Sequence, residues 1–472
     1  AATREMYLQP GVPENASVRG ALAVATPGLV AGLALALEEY GTLSLAEVLG
    51  PAIRLAEEGF AIGPYHARMI ERMRQRLSAV RFPETARIQF PPPGEPARPG
   101  WRLVQRDLAK TLRLLAFKGP EAFYRGPTAA FIAETMKQRG GILTLEDLES
   151  YRPVLRAPVS GSYRGVDIHS YPPPSSGGVI LLEMLNILEG FDLESRGAGS
   201  SASLHLITEA MKLAFADRAA YLGDADFVDV PVPLLISKRY AEEQRRRINP
   251  PWFRRAPWHW LGGPRAIRVK GPGLPADDFG TTHLSVSDAE GNAVAITKTI
   301  NTPYGSGITV PGTGIVLNNQ MDDFAKAPDV PNVYGLIDTR GANAIAPGKR
   351  PLSSMTPTIL VKQGKPIMVT GSPGGPRIIS TTLLTILNVL DYGMDVQAAV
   401  SAPRFHHQWM PDKLFVEPEI PVDVLEGLRS RGHEVEVSTR RWSSAEAIVI
   451  DFGSGVHLGG SDPRRDGLAL GY

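Results

Sequence analysis

Two alternating stretches, 281–287 and 293–300, constrain the fold most strongly. Apolar side chains recur at every second position in them, at Leu284, Val286, Val294 and Ile296. The intervening residues 288–292 have the composition of a turn. A period of two on both sides of a short turn predicts a β-hairpin, which belongs to a sheet covered on at least one face.

A second pair of strands leads into a glycine-rich turn. Residues 358–361 and 367–370 are predicted to pair across Gly364-Lys365, and the turn 371–377 then precedes a helix over 378–390. Backbone N–H groups at such a junction can bind an anion. Neither the Walker spacing nor a dinucleotide fingerprint is present. The turn is either a plain tight turn or, beside a nucleophile, an oxyanion hole.

The first half of the chain is predicted to be mainly helical. Helical patterns cover 29–40, 52–59, 65–77 (polar and exposed), 107–117, 128–139, 180–188 and 205–222. Capping boxes begin helices at Ser44 and Thr144. A hairpin is predicted over 159–171, and a further strand over 315–317.

Composition excludes several kinds of protein. The chain has no cysteine, so disulfides, thiolate catalysis and cysteine-bound zinc are ruled out. Its formal net charge of +1 argues against a nucleic-acid partner. No apolar run is long enough for a membrane span, and no signal peptide is apparent. The basic and aromatic stretch 244–280 is interpreted as a surface connector suited to cleavage.

Few residues are candidates for a catalytic nucleophile. No Gly-x-Ser-x-Gly elbow or His-Glu-x-x-His motif occurs. We interpret His406 and His407 as structural, and His205 as a packed or surface histidine. A threonine at a chain terminus would carry its own base, since an α-amine has a pKa of roughly 7.7–8.0. Thr281 directly follows the predicted connector, so cleavage before it would make it such a terminus. Spacing alone, however, also fits an ordinary strand residue.

Polar residues follow the ends of predicted strands, at Asn301, Gln320, Asp323, Ser353 and Ser354. Loops on one rim of a sheet can converge on a pocket. There Asp323 could pair with an α-ammonium group, and the serine hydroxyls and amides could hold an α-carboxylate. The alternative is that these residues only form turns.

Several long motifs occur together in one order. They are 172–178, 281–286, 317–324, 351–355, 371–375 and the terminal stretches 461–464 and 471–472. In these motifs the chain resembles the γ-glutamyltranspeptidases of the N-terminal-nucleophile hydrolase superfamily. The resemblance implies an α+β fold of the four-layer αββα sandwich type. It implies no cofactor and no metal.

The resemblance also implies a precursor that cleaves itself between Gly280 and Thr281. A large-subunit region 1–280 and a small-subunit region 281–472 would then intertwine as one unit. The family implies a periplasmic or secreted location. Relatives carry a further segment before the residues matching 1–6, including an Arg that binds the α-carboxylate, and nothing in this sequence corresponds to it.

The implied reaction is cleavage of the γ-glutamyl amide of glutathione and related compounds through a γ-glutamyl ester, with water or an amino-acid or peptide acceptor. Thr281 would be the nucleophile and Thr299 its hydrogen-bond partner. The other implied roles belong to Gly374 and Gly375 (oxyanion hole), Asn301, Gln320 and Asp323 (α-amine), Ser353 and Ser354 (α-carboxylate), and Tyr334 (gate in the lid 327–347).

Two alternatives remain at this stage. One is a related acylase acting on glutaryl-cephalosporin or poly-γ-glutamate amides. The other is a non-catalytic, truncated remnant. The lid with Tyr334 and the complete set of polar residues favour free γ-glutamyl compounds.

Overall fold

The computed structural model describes residues 2–248, 266–267 and 280–472. The chain forms two compact units: unit 1 comprises 1–156 and 299–322, and unit 2 comprises 157–298 and 323–472. Most of the predicted connector 244–280, with its aromatic residues, lies outside the described residues. The prediction was wrong for the first five residues of the connector, 244–248. They form the end of a helix that runs to Ile248, where Gln244 and Ile248 are buried against the rest of the protein. No helix in the described ranges is long and apolar enough to cross a membrane.

Unit 1 is built mainly of helices. They are α1 (Leu29–Tyr40), α2 (Leu45–Glu58), α3 (Pro64–Arg76), α4 (Pro83–Gln89), α5 (Arg106–Lys118), α6 (Glu121–Tyr124), α7 (Pro127–Gln138) and α8 (Leu145–Ser150). Two short strands, β1 (Phe60–Ala61) and β2 (Arg102–Leu103), pair antiparallel. Apolar side chains from α3, α5 and α7 form its core with residues 308–317 of the later segment.

Both predicted capping boxes in unit 1 are confirmed. The Ser44 hydroxyl accepts from the Glu47 amide, and the Glu47 carboxylate accepts from the Ser44 amide. Thr144 begins α8 in the same way. The prediction of a separate helix from 52 was wrong, because α2 continues through Pro51 and packs along α5.

Two further predictions for unit 1 were wrong. Helix α3 is not an exposed helix, because it buries Ala67, Ile70 and Met73. Residues 315–317 join no sheet strand. Their backbone instead pairs locally, with Leu317 N donating to Ile308 O at 2.9 Å, so only an isolated bridge forms.

Unit 2 is organised around an antiparallel six-stranded sheet. Its order is β13-β12-β8-β7-β4-β3. The strands of the unit are β3 (Val159–Tyr163), β4 (Val166–Ser170), β5 (Thr281–Ser287), β6 (Ala293–Thr299), β7 (Thr358–Lys362), β8 (Lys365–Gly371), β9 (Phe405–His406), β10 (Leu414–Val416), β11 (Val435–Val437), β12 (Glu446–Ile450) and β13 (His457–Ser461). Strands β9 to β11 form a separate three-stranded sheet.

The helices of unit 2 pack against this sheet and against one another. They are α9 (Gly177–Leu188), α10 (Ser201–Tyr221), α11 (Val232–Leu235), α12 (Lys238–Ile248), α13 (Arg377–Leu390), α14 (Val396–Ser401) and α15 (Val422–Ser430). Helices α9, α13 and α14 contact the six-stranded sheet directly. All of α9 and most of α10 are buried, and the two helices form the centre of the core.

The predicted hairpin is confirmed as β5 and β6, and β5 packs against β8 and β12. Its covered face is not the apolar one. Thr281 and His283 are buried, whereas Leu284 and Val286 are 50% and 54% exposed. On this buried face His283 makes hydrogen bonds to other side chains. A pattern of apolar residues does not predict such contacts.

A buried polar contact joins the edge of the sheet to the end of α13. The Tyr163 hydroxyl lies 2.9 and 3.0 Å from the two carboxylate oxygens of Asp391. Arg164 Nε donates to the same carboxylate at 2.6 Å. Asp391 is the residue at the C-terminus of α13, so this contact fixes the helix that follows the glycine turn.

We predict that Tyr163→Phe lowers the free energy of unfolding by about 1–3 kcal/mol, because the buried Asp391 carboxylate loses a donor. Chemical denaturation measures the change. Tyr171→Phe is the matched control, since Tyr171 is 40% exposed and should lose little. Equal effects of the two substitutions would contradict the importance of this contact.

Candidate active site

Thr281 is the first residue of β5, and its side chain is buried. The preceding Gly280 has a φ of +124°, a backbone conformation that suits glycine. Arg465 Nη1 donates to the Thr281 carbonyl at 3.0 Å. Thr282, the neighbouring hydroxyl, is exposed. The strand therefore turns Thr281, and not Thr282, toward the interior.

His283 holds β5 in place. Its Nδ1 lies 2.8 Å from Thr297 Oγ1 on β6, and its Nε2 lies 3.1 Å from Ser285 Oγ. Its ring is so close to Gly371 that a Cβ there would lie 2.4 Å from His283 Cε1. Burial lowers the pKa of His283 to about 3, so the ring is neutral at physiological pH. The sequence motif contained this residue, but its positioning role was missed.

The glycine-rich turn between β8 and α13 has the conformation of an anion-binding nest. Gly374 and Gly375 have φ values of +144° and +56°. Within the described ranges neither amide donates to a protein acceptor. Two free N–H groups at the start of a helix can stabilise an oxyanion. Their assignment as an oxyanion hole stays a prediction.

Tyr334 lies directly over this turn. A Cβ on Gly375 would come within 2.7 Å of its ring, and the side chain is buried. Gln408 Nε2 donates to the Tyr334 carbonyl at 3.0 Å, and the Tyr334 amide donates to Asn332 Oδ1 at 3.0 Å. The predicted lid residue is therefore held against the glycine turn by backbone hydrogen bonds.

Ser353 is held by the proline-rich segment 172–178. The Ser353 amide donates to the Pro174 carbonyl at 2.9 Å, and its carbonyl accepts from the Ser176 amide at 2.8 Å. The Ser353 hydroxyl accepts from the Met355 amide at 3.1 Å. Its own proton can thus be donated to a ligand.

Arg218 gives Ser354 the same property. It lies on α10 and is buried, and its Nη2 donates to Ser354 Oγ at 3.4 Å while its Nε donates to Ser176 Oγ at 3.0 Å. Burial lowers the pKa of Arg218 to about 10, and the carboxylates of Asp323 and Asp338 oppose this shift. A charged guanidinium behind two donating hydroxyls favours a bound carboxylate. No pattern in the sequence singled out Arg218.

Asn343 connects Asp323 to Leu352, the residue before Ser353. Its Nδ2 donates to the Asp323 carbonyl at 2.7 Å, and its Oδ1 accepts from the Leu352 amide at 3.1 Å. Asn343 is itself held by Asp338 Oδ2, which accepts from its amide at 2.8 Å. One side chain of the predicted lid therefore joins the backbone of the predicted ammonium partner to the backbone just before the predicted carboxylate partners.

The remaining predicted residues lie in unit 1 or at its boundary. Asn301 has a φ of +75°, its amide donates to Thr299 Oγ1 at 2.7 Å, and its Nδ2 donates to the Asn319 carbonyl at 3.0 Å. The Gln320 amide donates to Asn318 Oδ1 at 2.9 Å. Consecutive asparagines thus order this segment of unit 1. The ligand contacts of Thr299, Asn301 and Gln320 stay predictions.

The two adjacent histidines are buried and face different partners. His406 Nδ1 lies 2.9 Å from Ser380 Oγ, and burial lowers its pKa to about 3. His407 Nε2 lies 3.2 Å from Asp412 Oδ1, and burial lowers its pKa to about 4. Both rings are hydrogen-bonded within the protein, as expected of structural residues.

Comparison with known proteins matches the whole chain to one family. A family model described as Gamma-glutamyltranspeptidase matches residues 1–472. The chain belongs to this family. A glutathione hydrolase proenzyme of Escherichia coli is 45% identical over 474 residues, which cover 100% of this chain and 79% of the relative. An acylase proenzyme of a Pseudomonas species is 41% identical, and the match covers 99% of this chain and 80% of the relative.

Solved structures of the family show the same fold. A cephalosporin acylase from Bacillus halodurans superposes with a TM-score of 0.82 at 33% identity, over 96% of this chain and 80% of that structure. The predicted α+β fold of the N-terminal-nucleophile hydrolase type is therefore confirmed.

We predict that Gly371→Ala lowers the free energy of unfolding by about 1–3 kcal/mol, because the new Cβ would overlap the buried His283 ring. Chemical denaturation tests this. Gly32→Ala is the control: a Cβ there meets nothing within 4 Å in α1. It should stabilise the chain by about 0.5–1 kcal/mol. If Gly371→Ala leaves the free energy of unfolding unchanged, close contact between Gly371 and His283 is not what holds β5 against β8.

Proposed function

We propose that this chain is a γ-glutamyl hydrolase and transferase that acts on glutathione and related γ-glutamyl compounds. The observation that carries the proposal is the amino-acid-binding arrangement of unit 2. Ser353 and Ser354 can each donate a hydroxyl proton, Arg218 lies behind Ser354, and Asn343 fixes Asp323 to the same segment. A carboxylate on one side and an ammonium on the other is the chemistry of a free α-amino acid.

Self-cleavage would generate the nucleophile. The Thr281 hydroxyl attacks the Gly280 carbonyl, the C–N bond breaks in an N→O shift, and water hydrolyses the resulting ester. The products are a carboxylate at Gly280 and a free α-amine at Thr281. Relatives named as proenzymes support such a maturation. It would divide the chain into regions 1–280 and 281–472.

The mature Thr281 would then act on the substrate. Its α-amine takes the hydroxyl proton, and Oγ attacks the γ-amide carbon. The Gly374 and Gly375 amides stabilise the oxyanion until the C–N bond breaks and the leaving amine takes the proton. Water or an acceptor amine resolves the γ-glutamyl ester. Thr299 would orient the hydroxyl, while Asn301 and Gln320 would join Asp323 at the α-amine.

The proposal also assigns a role to the predicted lid and a location to the mature protein. Tyr334 would gate access to the glycine turn, on which it already lies. We place the mature protein in the periplasm or outside the cell, in line with its family.

We predict that Thr281→Ala remains a single uncleaved chain and releases no product from γ-glutamyl-p-nitroanilide, since it lacks the nucleophile of both reactions. Thr282→Ala, at the exposed neighbouring position, should be cleaved and active. Denaturing gels and the release of p-nitroaniline measure these outcomes. A wild-type chain that stays uncleaved and inactive would instead favour a non-catalytic remnant.

A related acylase is the second candidate, favoured by the TM-score of 0.82 to the cephalosporin acylase. Its substrates would carry a glutaryl group, which differs from a γ-glutamyl group by lacking the α-amine. Poly-γ-glutamate amides belong to the same alternative. The buried Asp323 carboxylate argues for a substrate that bears the amine.

Asp323→Asn separates the two candidates. We predict that it lowers kcat/KM for γ-glutamyl-p-nitroanilide by about tenfold to hundredfold, since it removes one charge-assisted hydrogen bond. The rate with glutaryl-p-nitroanilide should not fall. Asp329→Asn is the control, because Asp329 is exposed in the same loop. An equal loss on both substrates would remove the support for amine recognition by Asp323.

A further inference from the structure

We propose that a buried charged cluster, built on α10 and completed by two residues from later in the chain, is a docking site for the backbone of residues 266–267, and that it anchors the segment that precedes the predicted cleavage site. The cluster consists of Glu209, Lys212, Asp412, His205 and His433. Its consequence for maturation rests on the proposed self-cleavage. The docking itself does not.

The docked backbone is held at both of its polar groups. Lys212 Nζ donates to the Ile267 carbonyl at 2.6 Å, and the Ile267 amide donates to Glu209 Oε2 at 3.0 Å. One residue earlier, the Ala266 amide donates to the Arg431 carbonyl at 2.7 Å. Hydrogen bonds to charged partners are the stronger kind. The backbone of two successive residues is thus held by three hydrogen bonds.

The charges that bind this backbone are removed from solvent. Lys212 is 2% exposed, and its Nζ lies 3.1 Å from Glu209 Oε1 and 3.2 Å from Asp412 Oδ1. Burial raises the pKa of Glu209, and Lys212 opposes that shift. Burying an ion pair carries a large desolvation cost and by itself adds little stability. Binding of the peptide backbone gives a physical reason for burying this ion pair.

The histidines of the cluster bear on a competing possibility, a metal site. His205, Glu209 and His433 offer three ligand atoms within 4.8 Å of one another. His205 is buried, so of the two sequence-based interpretations it is a packed and not a surface histidine, and Glu209 lies one helical turn away on α10. However, the Lys212 ammonium lies 3.1 Å from Glu209 and supplies the positive charge that a metal would bring. His205 Nδ1 is also 2.8 Å from His433 Nε2, so these two atoms already share a hydrogen bond.

The position of the anchor in the sequence gives it a role. Ile267 lies thirteen residues before Gly280. Fixing one end of a flexible segment reduces the conformational entropy that is lost when its other end is ordered. Docking at 266–267 would fix one end of the segment that leads to the Gly280-Thr281 peptide bond, and would retain the new chain end after cleavage.

Amide hydrogen exchange tests the docking. In the full-length Thr281→Ala protein, which cannot cleave, the Ile267 amide should exchange at least about tenfold more slowly than in an unstructured peptide. Lys212→Met should reduce that protection. Added zinc should leave it unchanged. Exchange at the unstructured rate, or protection that appears only with zinc, would overturn the proposal.

The rate of cleavage tests the role. Ile267→Pro removes the backbone N–H that donates to Glu209, whereas Ile267→Ala keeps both backbone hydrogen bonds of residue 267. We expect Ile267→Pro to mature about tenfold more slowly than Ile267→Ala and the unaltered chain. Equal rates for the three would refute a role in maturation. If the unaltered chain never cleaves, the proposed function fails, while the exchange experiment still decides whether the segment docks.

Discussion

The contact between His283 and Gly371 sets the geometry on which the candidate site depends. His283 lies two residues after Thr281, and Gly371 lies three residues before Gly374. A short strand and a short turn leave little freedom between each contact residue and the chemical group it positions. Since burial lowers the pKa of His283 to about 3, this contact works through shape and neutral hydrogen bonds and not through charge. It should therefore hold across the pH range in which an α-amine base titrates.

The lid and the amino-acid-binding residues form one connected structure. Asp338 orders residues 340–343 through their amides, and Asn343 then joins Asp323 to Leu352. The same loop carries Tyr334 onto Gly375. A movement of this loop would shift both sets of predicted ligand contacts. Substrate entry and substrate recognition are therefore expected to be mechanically coupled.

Local signals in the sequence predicted much of the fold. The helix over 29–40 and the capping box at Ser44 follow from periodicity and from side-chain oxygens next to free amides, and both were placed correctly. The helix through Pro51 was missed because packing along α5 outweighs the local signal of a proline. The exposed apolar face of β5 was missed for a related reason: the sequence shows which residues alternate, but not which neighbour covers them. The functional residues assigned by resemblance remain predictions. Asn343 and Arg218 left no pattern in the sequence, because Asn343 bonds the backbone of loop residues 9 and 20 positions away and Arg218 bonds Ser354, 136 positions away.

Helix α10 shows why such residues escape sequence reasoning. Lys212 and Arg218 would ordinarily be assigned to a solvated helix face, yet both are buried and each binds a segment distant in sequence. A buried cation must be compensated, and here carboxylates supply part of the compensation and backbone or hydroxyl oxygens the rest. The two cations point to separate tasks, with Lys212 holding the segment before the predicted cleavage site and Arg218 supporting the predicted carboxylate-binding serines. One helix would then link maturation of the nucleophile to recognition of the substrate. Both roles depend on buried cations of α10, which apolar core residues could not replace.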